Sequence, residues 1–380
     1  MLPRIKKFLR ISFIGINIIA VIFYLLACLV PFINSGKSWF IAMLGLVFPL
    51  LFLVILIFLI YWLIRKSKWA YVCMAALLLS WKQISVMFSF HFPKQFEVAK
   101  SPATLRVLSW NLSSWGVSNR SDGKKSDYEE EMIDVIKKSN ADVLCFQEYL
   151  YYKDSKYRDS IIPALRESGY RYSYFAKTRY TYRIYKTTLL TAIAVISKYP
   201  ITDTAQSFYI DEDAAEPIVH TDIKVNNQVV RIFNTHLQSV MFENSHYRIL
   251  DNIKQDPLKA SVNESKAIAY RLRNAYVKRA GQAELLQAKI KNSPYPVIVC
   301  GDFNDVPNSY SYFTVKGNLQ DAFLRKGVGF GKTLRMLSPT LRIDYILADK
   351  KFAVQQFNKI EVPYSDHYPI VTDFDLTEKN

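Results

Sequence analysis

The sequence predicts an α/β (α+β) protein: two packed β-sheets flanked by helices, preceded by an N-terminal transmembrane helical region. Three observations carry that reading. Residues 12 to 32 and 38 to 64 run for 21 and 27 positions without a charge, and either stretch as a helix covers the roughly 30 Å of bilayer hydrocarbon. From Leu105 the pattern changes to short apolar runs separated by polar helical stretches, as in mixed helix and sheet. Strand candidates there outnumber helix candidates, which favours two packed sheets over one doubly wound sheet.

The first hundred residues hold eleven Lys and Arg against one acid, Glu97, and so carry +10 of the formal net charge of +16. The basic balance therefore belongs chiefly to membrane flanks and does not by itself point to nucleic acid. Cys28 and Cys73 fall in apolar segments, Cys145 and Cys300 in strand candidates, with no CxxC or Cys/His spacing. They are expected to be small buried hydrophobes, not zinc ligands or a disulfide framework.

Residues 1–100 are expected to form the membrane region, with spans at about 12–32 and 39–63 and a third at 69–90. Phe32 to Lys37 is a short polar turn after Pro31 and suits a helical hairpin. No small-residue cleavage site precedes the second span, so the first reads as an anchor and not as a removable leader. The third segment, Trp69 to Phe90, contains Ser80, Lys82, Gln83 and Ser85; a crossing there requires Lys82 to snorkel or to face a neighbouring helix. Arg4, Lys6, Lys7 and Arg10 precede the first span, and Arg65, Lys66 and Lys68 follow the second. Both clusters belong on the cytoplasmic side. Three spans then place the rest of the chain outside that membrane face, and two spans leave it inside.

Residues 103–380 form the second expected domain. Strands are predicted at Leu105 to Trp110, Val143 to Gln147, Tyr172 to Ala176, Ala192 to Ser197, Ile218 to Val225, Val229 to His236, Pro296 to Cys300, Ile343 to Ala348 and Ile370 to Phe374. Tyr128, Met132, Val135 and Ile136 recur at helical spacing, as do Ile268, Leu272, Ala275, Arg279, Leu286 and Ile290 over residues 265–291; both stripes face a core. A hairpin insertion from Lys177 to Leu189 interleaves Arg179, Tyr180, Tyr182, Arg183, Tyr185 and Lys186, a pattern that suits phosphates or stacked bases and equally a solvated hairpin. Ser239 to Ser265 reads as a surface insertion.

Polar residues recur at the ends of these apolar strands: Trp110-Asn111, Phe146-Gln147-Glu148, Asn234-Thr235-His236, Gly301-Asp302-Phe303-Asn304-Asp305, Arg342-Ile343-Asp344-Tyr345 and Ser365-Asp366-His367. Any one of them is an ordinary turn or cap. Six in one chain point to a shared cleft, since strand-terminal acids, amides and histidines have no structural reason to recur so regularly. His220 matches no such set and reads as a sheet residue, and Asp305 as a turn residue.

In this order these segments resemble the endonuclease/exonuclease/phosphatase family, which includes deoxyribonuclease I and abasic-site endonucleases, over nearly all of residues 103–376. Gly301-Asp302-Phe303-Asn304 and Ser365-Asp366-His367 are the most specific pieces. The resemblance implies a four-layered α/β sandwich of two mixed sheets and a Mg²⁺-dependent phosphoesterase, with Mn²⁺ as a substitute. It implies Glu148 as principal metal ligand, with Asn111 and Asp366 beside it, since Mg²⁺ takes oxygen ligands and few carboxylates. His367 fits a base for water because imidazole titrates near neutral pH, and Asp344 would hold its ring. By the same resemblance Asp302 orients or deprotonates the water, Asn304 donates to a phosphate oxygen, and His236 binds phosphate or assists the leaving group.

The expected activity is hydrolysis of phosphodiesters by a nuclease-like, membrane-anchored enzyme whose partners are the lipid bilayer and a phosphate-ester substrate. A lipid-linked phosphate, pyrophosphate or inositol-phosphate-type head group is the alternative substrate. A non-catalytic membrane scaffold is the alternative of another class; such a protein should have lost a metal or base residue, and no matched motif position is lost here.

Overall fold

A computed structural model of the chain describes residues 2–115, 128–152, 161–184, 187–209, 216–240, 262–335 and 338–377. The basic and aromatic side chains of the Lys177 to Leu189 hairpin, and most of the Ser239 to Ser265 stretch, lie outside the described residues. The chain divides into two compact units, one of residues 1–87, 240–280 and 306–314, the other of residues 88–239, 281–305 and 315–380.

The first unit is built on α1 (Leu2–Cys28), α2 (Trp39–Ile64), α3 (Trp69–Leu79) and α4 (Trp81–Met87). Two helices, Arg4–Phe32 and Trp39–Ile64, are long and apolar enough to cross a membrane. They leave Ile16, Ile19, Ile22, Leu50, Leu53 and Ile57 at least half exposed. The third apolar segment is not one straight helix: α3 and α4 meet at a 64° bend. Ser80 stands at the break, where its hydroxyl donates to Leu77 O and shares a hydrogen bond with the Tyr24 hydroxyl.

Polar side chains join these helices. The Asn17 Oδ1 accepts from Trp62 Nε1 at 3.0 Å, and its Nδ2 donates to Cys73 Sγ at 3.5 Å. Carbonyls left without helical partners at the end of α1 accept side-chain amides: Gln83 donates to Cys28 O at 2.7 Å and Asn308 to Ala27 O at 3.0 Å. A Cβ on Gly45 would lie 2.4 Å from Asn308 O, so only glycine permits this approach.

The second unit holds two six-stranded sheets. One contains β2 (Thr104–Asn111), β3 (Val143–Tyr152), β4 (Tyr172–Ile184), β5 (Thr187–Ser197), β13 (Ala353–Lys359) and β14 (Ile370–Asp375), in the order β13-β14-β2-β3-β5-β4. The other contains β6 (Ile201–Ser207), β7 (Ile218–Val225), β8 (Gln228–His236), β9 (Val297–Asp302), β10 (Gln320–Asp321) and β12 (Asp344–Ala348), in the order β10-β12-β9-β8-β7-β6. A separate ribbon pairs β1 (Ser89–Phe90) with β11 (Val328–Gly329). Helices α5 (Glu129–Ser139), α6 (Ile161–Glu167), α7 (Val262–Lys291), α8 (Tyr310–Lys316) and α9 (Ala322–Lys326) complete the described α-helices.

Alternation along the strands sorts side chains into two cores. Leu105, Val107, Val143, Cys145, Ile193 and Val195 meet Val219, Ile223, Ile232, Ile298, Cys300 and Ile346 between the sheets. Their neighbours Leu108, Trp110, Leu144, Phe146 and Ile196 point the other way and are covered by Met132, Ile133 and Ile136 of α5 and Leu165 of α6. Each sheet contains a parallel pair, β2–β3 and β8–β9, and the remaining neighbours run antiparallel. A parallel pair needs a crossover; α5 lies in the first and α7 in the second. In both pairs the carboxyl ends fall side by side, Asn111 opposite Gln147 and His236 opposite Asp302.

Edge strands β6 and β13 carry no continuous apolar run and at most one buried residue each, so the sequence alone does not mark them. All four cysteines are buried.

Candidate active site

Backbone geometry at the strand ends aims the polar side chains. The β3–β5 register shifts between Phe146 and Tyr149, a bulge of the kind that re-aims side chains beside active sites. Within it Glu148 has φ +51°, a left-handed conformation that is costly for glutamate. Asn304 sits at φ +50°, which asparagine tolerates, and its N–H donates to Asp302 Oδ1 at 2.8 Å. Gly301 has φ +150°, and a Cβ there would fall 2.0 Å from Thr235 O. Glycine is therefore what lets β9 deliver Asp302 beside the end of β8.

Asp302 is the centre. Its Oδ2 accepts from Asn111 Nδ2 at 3.1 Å and lies 3.5 Å from His236 Nε2 and 3.6 Å from His367 Nε2. Each histidine is backed by a second carboxylate through Nδ1: His367 by Asp344 at 2.9 Å and His236 by Glu216 at 2.8 Å. Asn111 also donates to Glu148 Oε1 at 3.2 Å, and His236 Nε2 lies 3.9 Å from the same oxygen. Ser365 donates to Asn111 O at 2.8 Å and accepts from His367 N at 3.1 Å. Its hydroxyl also lies 3.3 Å from Asp366 Oδ1. Trp110 Nε1 donates to His367 O at 2.9 Å, and Thr333 Oγ1 accepts from the Asp344 N–H at 3.1 Å.

The structure thus brings Asn111, Glu148, His236, Asp302, Asn304, Asp344, Asp366 and His367 into one cluster. Sequence reasoning missed Glu216 and Thr333. Neither belongs to a motif, and only the tertiary fold brings them to their partners. Gln147 and Asn234, named only as parts of strand-end motifs, bond each other at 2.7 Å and link the two sheets beneath the cluster.

The charges are strongly coupled. Burial alone would raise Asp302, but His367 and His236 bring it down to about 2. Burial alone would lower both histidines. Asp344 and Asp302 instead hold His367 up at about 10, and Glu216 and Asp302 hold His236 well above its ordinary value. Burial raises Glu148, and repulsion from Glu216 and Asp366 adds to the rise.

Among the described residues, Asp302, Asp344 and His367 offer ligand atoms within 4.8 Å of one another. His367 Nδ1 and Nε2 are already directed at those two carboxylates, so this set reads as an ion-paired relay. Glu148 is different: its carboxylate faces Asp366 and Glu216, and a cation would relieve that repulsion. The donor chemistry at Glu148 and Asp366 suits a hard divalent ion. Asn111 turns its Nδ2 to both carboxylates while its Oδ1 accepts from Ser113 N at 2.9 Å, which makes it an orienting residue in this arrangement.

The endonuclease/exonuclease/phosphatase family model matches residues 108–367, from β2 to His367 itself. The chain belongs to this family. It is accordingly a hydrolase of phosphoester bonds. A second model, a domain of unknown function (DUF8431), matches residues 6–87. No curated protein matches the chain. Among solved structures, the family protein from Beutenbergia cavernae DSM 12333 is similar at 20% identity and TM-score 0.51, covering 72% of each chain. The human Nocturnin catalytic domain is similar at 20% identity and TM-score 0.50, covering 71% of this chain and 93% of that one. These likenesses establish the two-sheet fold that the family shares.

Proposed function

We propose that the chain is a membrane-anchored, Mg²⁺-dependent phosphodiesterase with its catalytic domain over residues 103–380. The observation that carries this reading is the convergence of two carboxylate-backed histidines on one oxygen of Asp302. Asp302 stays ionised, faces two imidazoliums and accepts the proton of the attacking water. Asp344 and Asp302 favour the protonated form of His367, which the sequence offers as the base, so this reading gives the water's proton to Asp302, whose Oδ2 both rings approach. His367 and His236 then neutralise phosphoryl oxygens, and either can protonate the departing oxygen. Asp344 and Glu216 keep the two rings in the tautomer and orientation this needs. Asn304 offers an amide to a phosphate oxygen, and Asn111, donating to both Glu148 and Asp302, fixes the two carboxylates relative to each other. Glu148 and Asp366 would hold the divalent ion, Mg²⁺ or Mn²⁺, whose contribution is charge neutralisation at phosphate.

A second substrate reading, a lipid-linked phosphate or pyrophosphate or an inositol-phosphate-type head group, is favoured by one observation: the described residues 262–280 and 306–314 belong to the same compact unit as the apolar helices. For that reason the test uses the full chain in nanodiscs. The panel is single- and double-stranded DNA, RNA, a polyprenyl pyrophosphate, and inositol and sphingolipid phosphates, with Mg²⁺ or EDTA. Polynucleotide cleavage lost in EDTA and in His367→Ala supports the nuclease-like reading, and selective turnover of a lipid phosphate supports the second. Silence across the panel, with Asp302→Asn leaving the biological output intact, would establish the scaffold and refute both.

A further inference from the structure

The ribbon of β1 and β11 presents apolar side chains that the catalytic reading does not use. Phe90 is 76% exposed, Phe92 88%, Val328 44% and Phe330 37%. The Phe88 ring lies 4.7 Å from that of Phe90 and 5.1 Å from that of Phe330. Local sequence explains the display. In Gly327-Val328-Gly329-Phe330-Gly331, a Cβ on Gly327 or Gly331 would fall within 2.4 Å of the Phe323 ring. The two glycines therefore let the strand lie flat on α9 while Val328 and Phe330 turn outward. Ser89 Oγ, donating to Gly327 O at 2.7 Å, pins β1 to it. A soluble surface rarely invests such packing in an exposed aromatic patch.

Beside the patch is a cavity of about 270 Å³ lined by His91, Arg325, Lys326 and Lys350 among others, with no carboxylate in its wall. None of the three cations is ion-paired among the described residues. Chain continuity ties the patch to the apolar helices, for α4 ends at Met87 and β1 begins at Ser89. Phe90 thus follows the end of α4 by three residues, about 10 Å at full extension.

We infer that this surface docks the catalytic domain on the bilayer: Phe90, Phe92, Val328 and Phe330 enter the interface, and the adjoining basic cavity takes the phosphate of an anionic phospholipid. Aromatic side chains favour the head-group boundary, and cations beside it draw anionic lipid. The inference rests on the reading that the N-terminal helices cross a membrane. The docked domain keeps its orientation to the lipid surface independently of what the site hydrolyses.

The test uses the full chain in nanodiscs with a nitroxide on Phe92→Cys or, separately, on Leu53→Cys; the native cysteines are buried. Collision with O₂ relative to a water-soluble nickel chelate reports depth. In bilayers containing phosphatidylglycerol the ratio at position 92 is expected to rise several-fold over its value in phosphatidylcholine alone. Combining Arg325→Glu, Lys326→Glu and Lys350→Glu should abolish the rise. A label at 92 that stays water-like while the label at 53 reads lipid overturns the docking surface and leaves the anchor standing. Water-like values at both positions refute the anchor, and the docking surface with it.

Discussion

Asp302 shows how one residue acquires its chemistry from its neighbours. His236, His367 and the Asn111 amide around a buried carboxylate keep it ionised, and Asp302 together with the carboxylates behind the two histidines favours their charged form. Asp302→Asn should therefore lower kcat by several orders of magnitude with an unchanged circular dichroism spectrum. Glu216→Gln removes only the backing of His236, and a loss of about 10²-fold is expected. Glu148 is held at φ +51° and faces the carboxylates of Glu216 and Asp366. Glu148→Gln should abolish activity yet raise thermal stability in EDTA by about 1 kcal/mol, the usual sign of a site residue held against its own preference. Added Mg²⁺ should raise the melting temperature of the unsubstituted chain and leave the variant unmoved; equal shifts would place the ion elsewhere. At Gly301 no side chain fits, so Gly301→Ala should unfold at markedly lower urea.

At the scale of elements, the sheet that carries Asn111 and Glu148 is fixed by a buried charge. Arg106 on β2 is fully buried, pairs with Asp373 on β14 through Nε and Nη2 at 2.6 and 2.8 Å, and donates to Glu97 O, Val98 O and Ser139 O. Every guanidinium N–H direction there meets an acceptor, so removing the cation leaves a buried carboxylate without its counter-charge. Arg106→Ala should cost about 3–5 kcal/mol in urea unfolding. A loss below 1 kcal/mol would mean that water reaches Asp373. The strands themselves were legible where an apolar run crosses the core, as in β7, whose bounds match the sequence reading residue for residue. They were not legible at β6 and β13, because an edge strand needs partners more than it needs apolar side chains. The bend at Ser80 was equally hidden. Ser80 bonds back to Leu77 O and meets the Tyr24 hydroxyl, and the second of these partners is 56 residues away in the chain.

For the whole molecule, the placement of residues 306–314 bears on topology. Asn308 meets Ala27 and Gly45 at the end of the α1–α2 pair that lies opposite the basic clusters at Arg4 to Arg10 and Arg65 to Lys68. If those clusters face the cytoplasm, the 306–314 segment lies on the other side. A cysteine at the exposed position Lys351 should then react with a membrane-impermeant maleimide in intact cells. Reaction only after permeabilisation would reverse the orientation.

What the sequence determined by itself was whatever local pattern encodes: two apolar helices, nine strand cores, and six strand-end motifs whose order identified the family. These are properties of residues near one another in the chain. The tertiary structure alone decided which carboxylate backs which histidine, that Glu216 joins the cluster, that Asn111 bridges two acids, and that β1 and β11 expose an aromatic patch beside a basic cavity. The physical reason is the same in each case. Hydrogen-bond partners and electrostatic neighbours are set by distances of a few ångströms between residues that lie from 20 to more than 200 positions apart in the chain, and no periodicity records them.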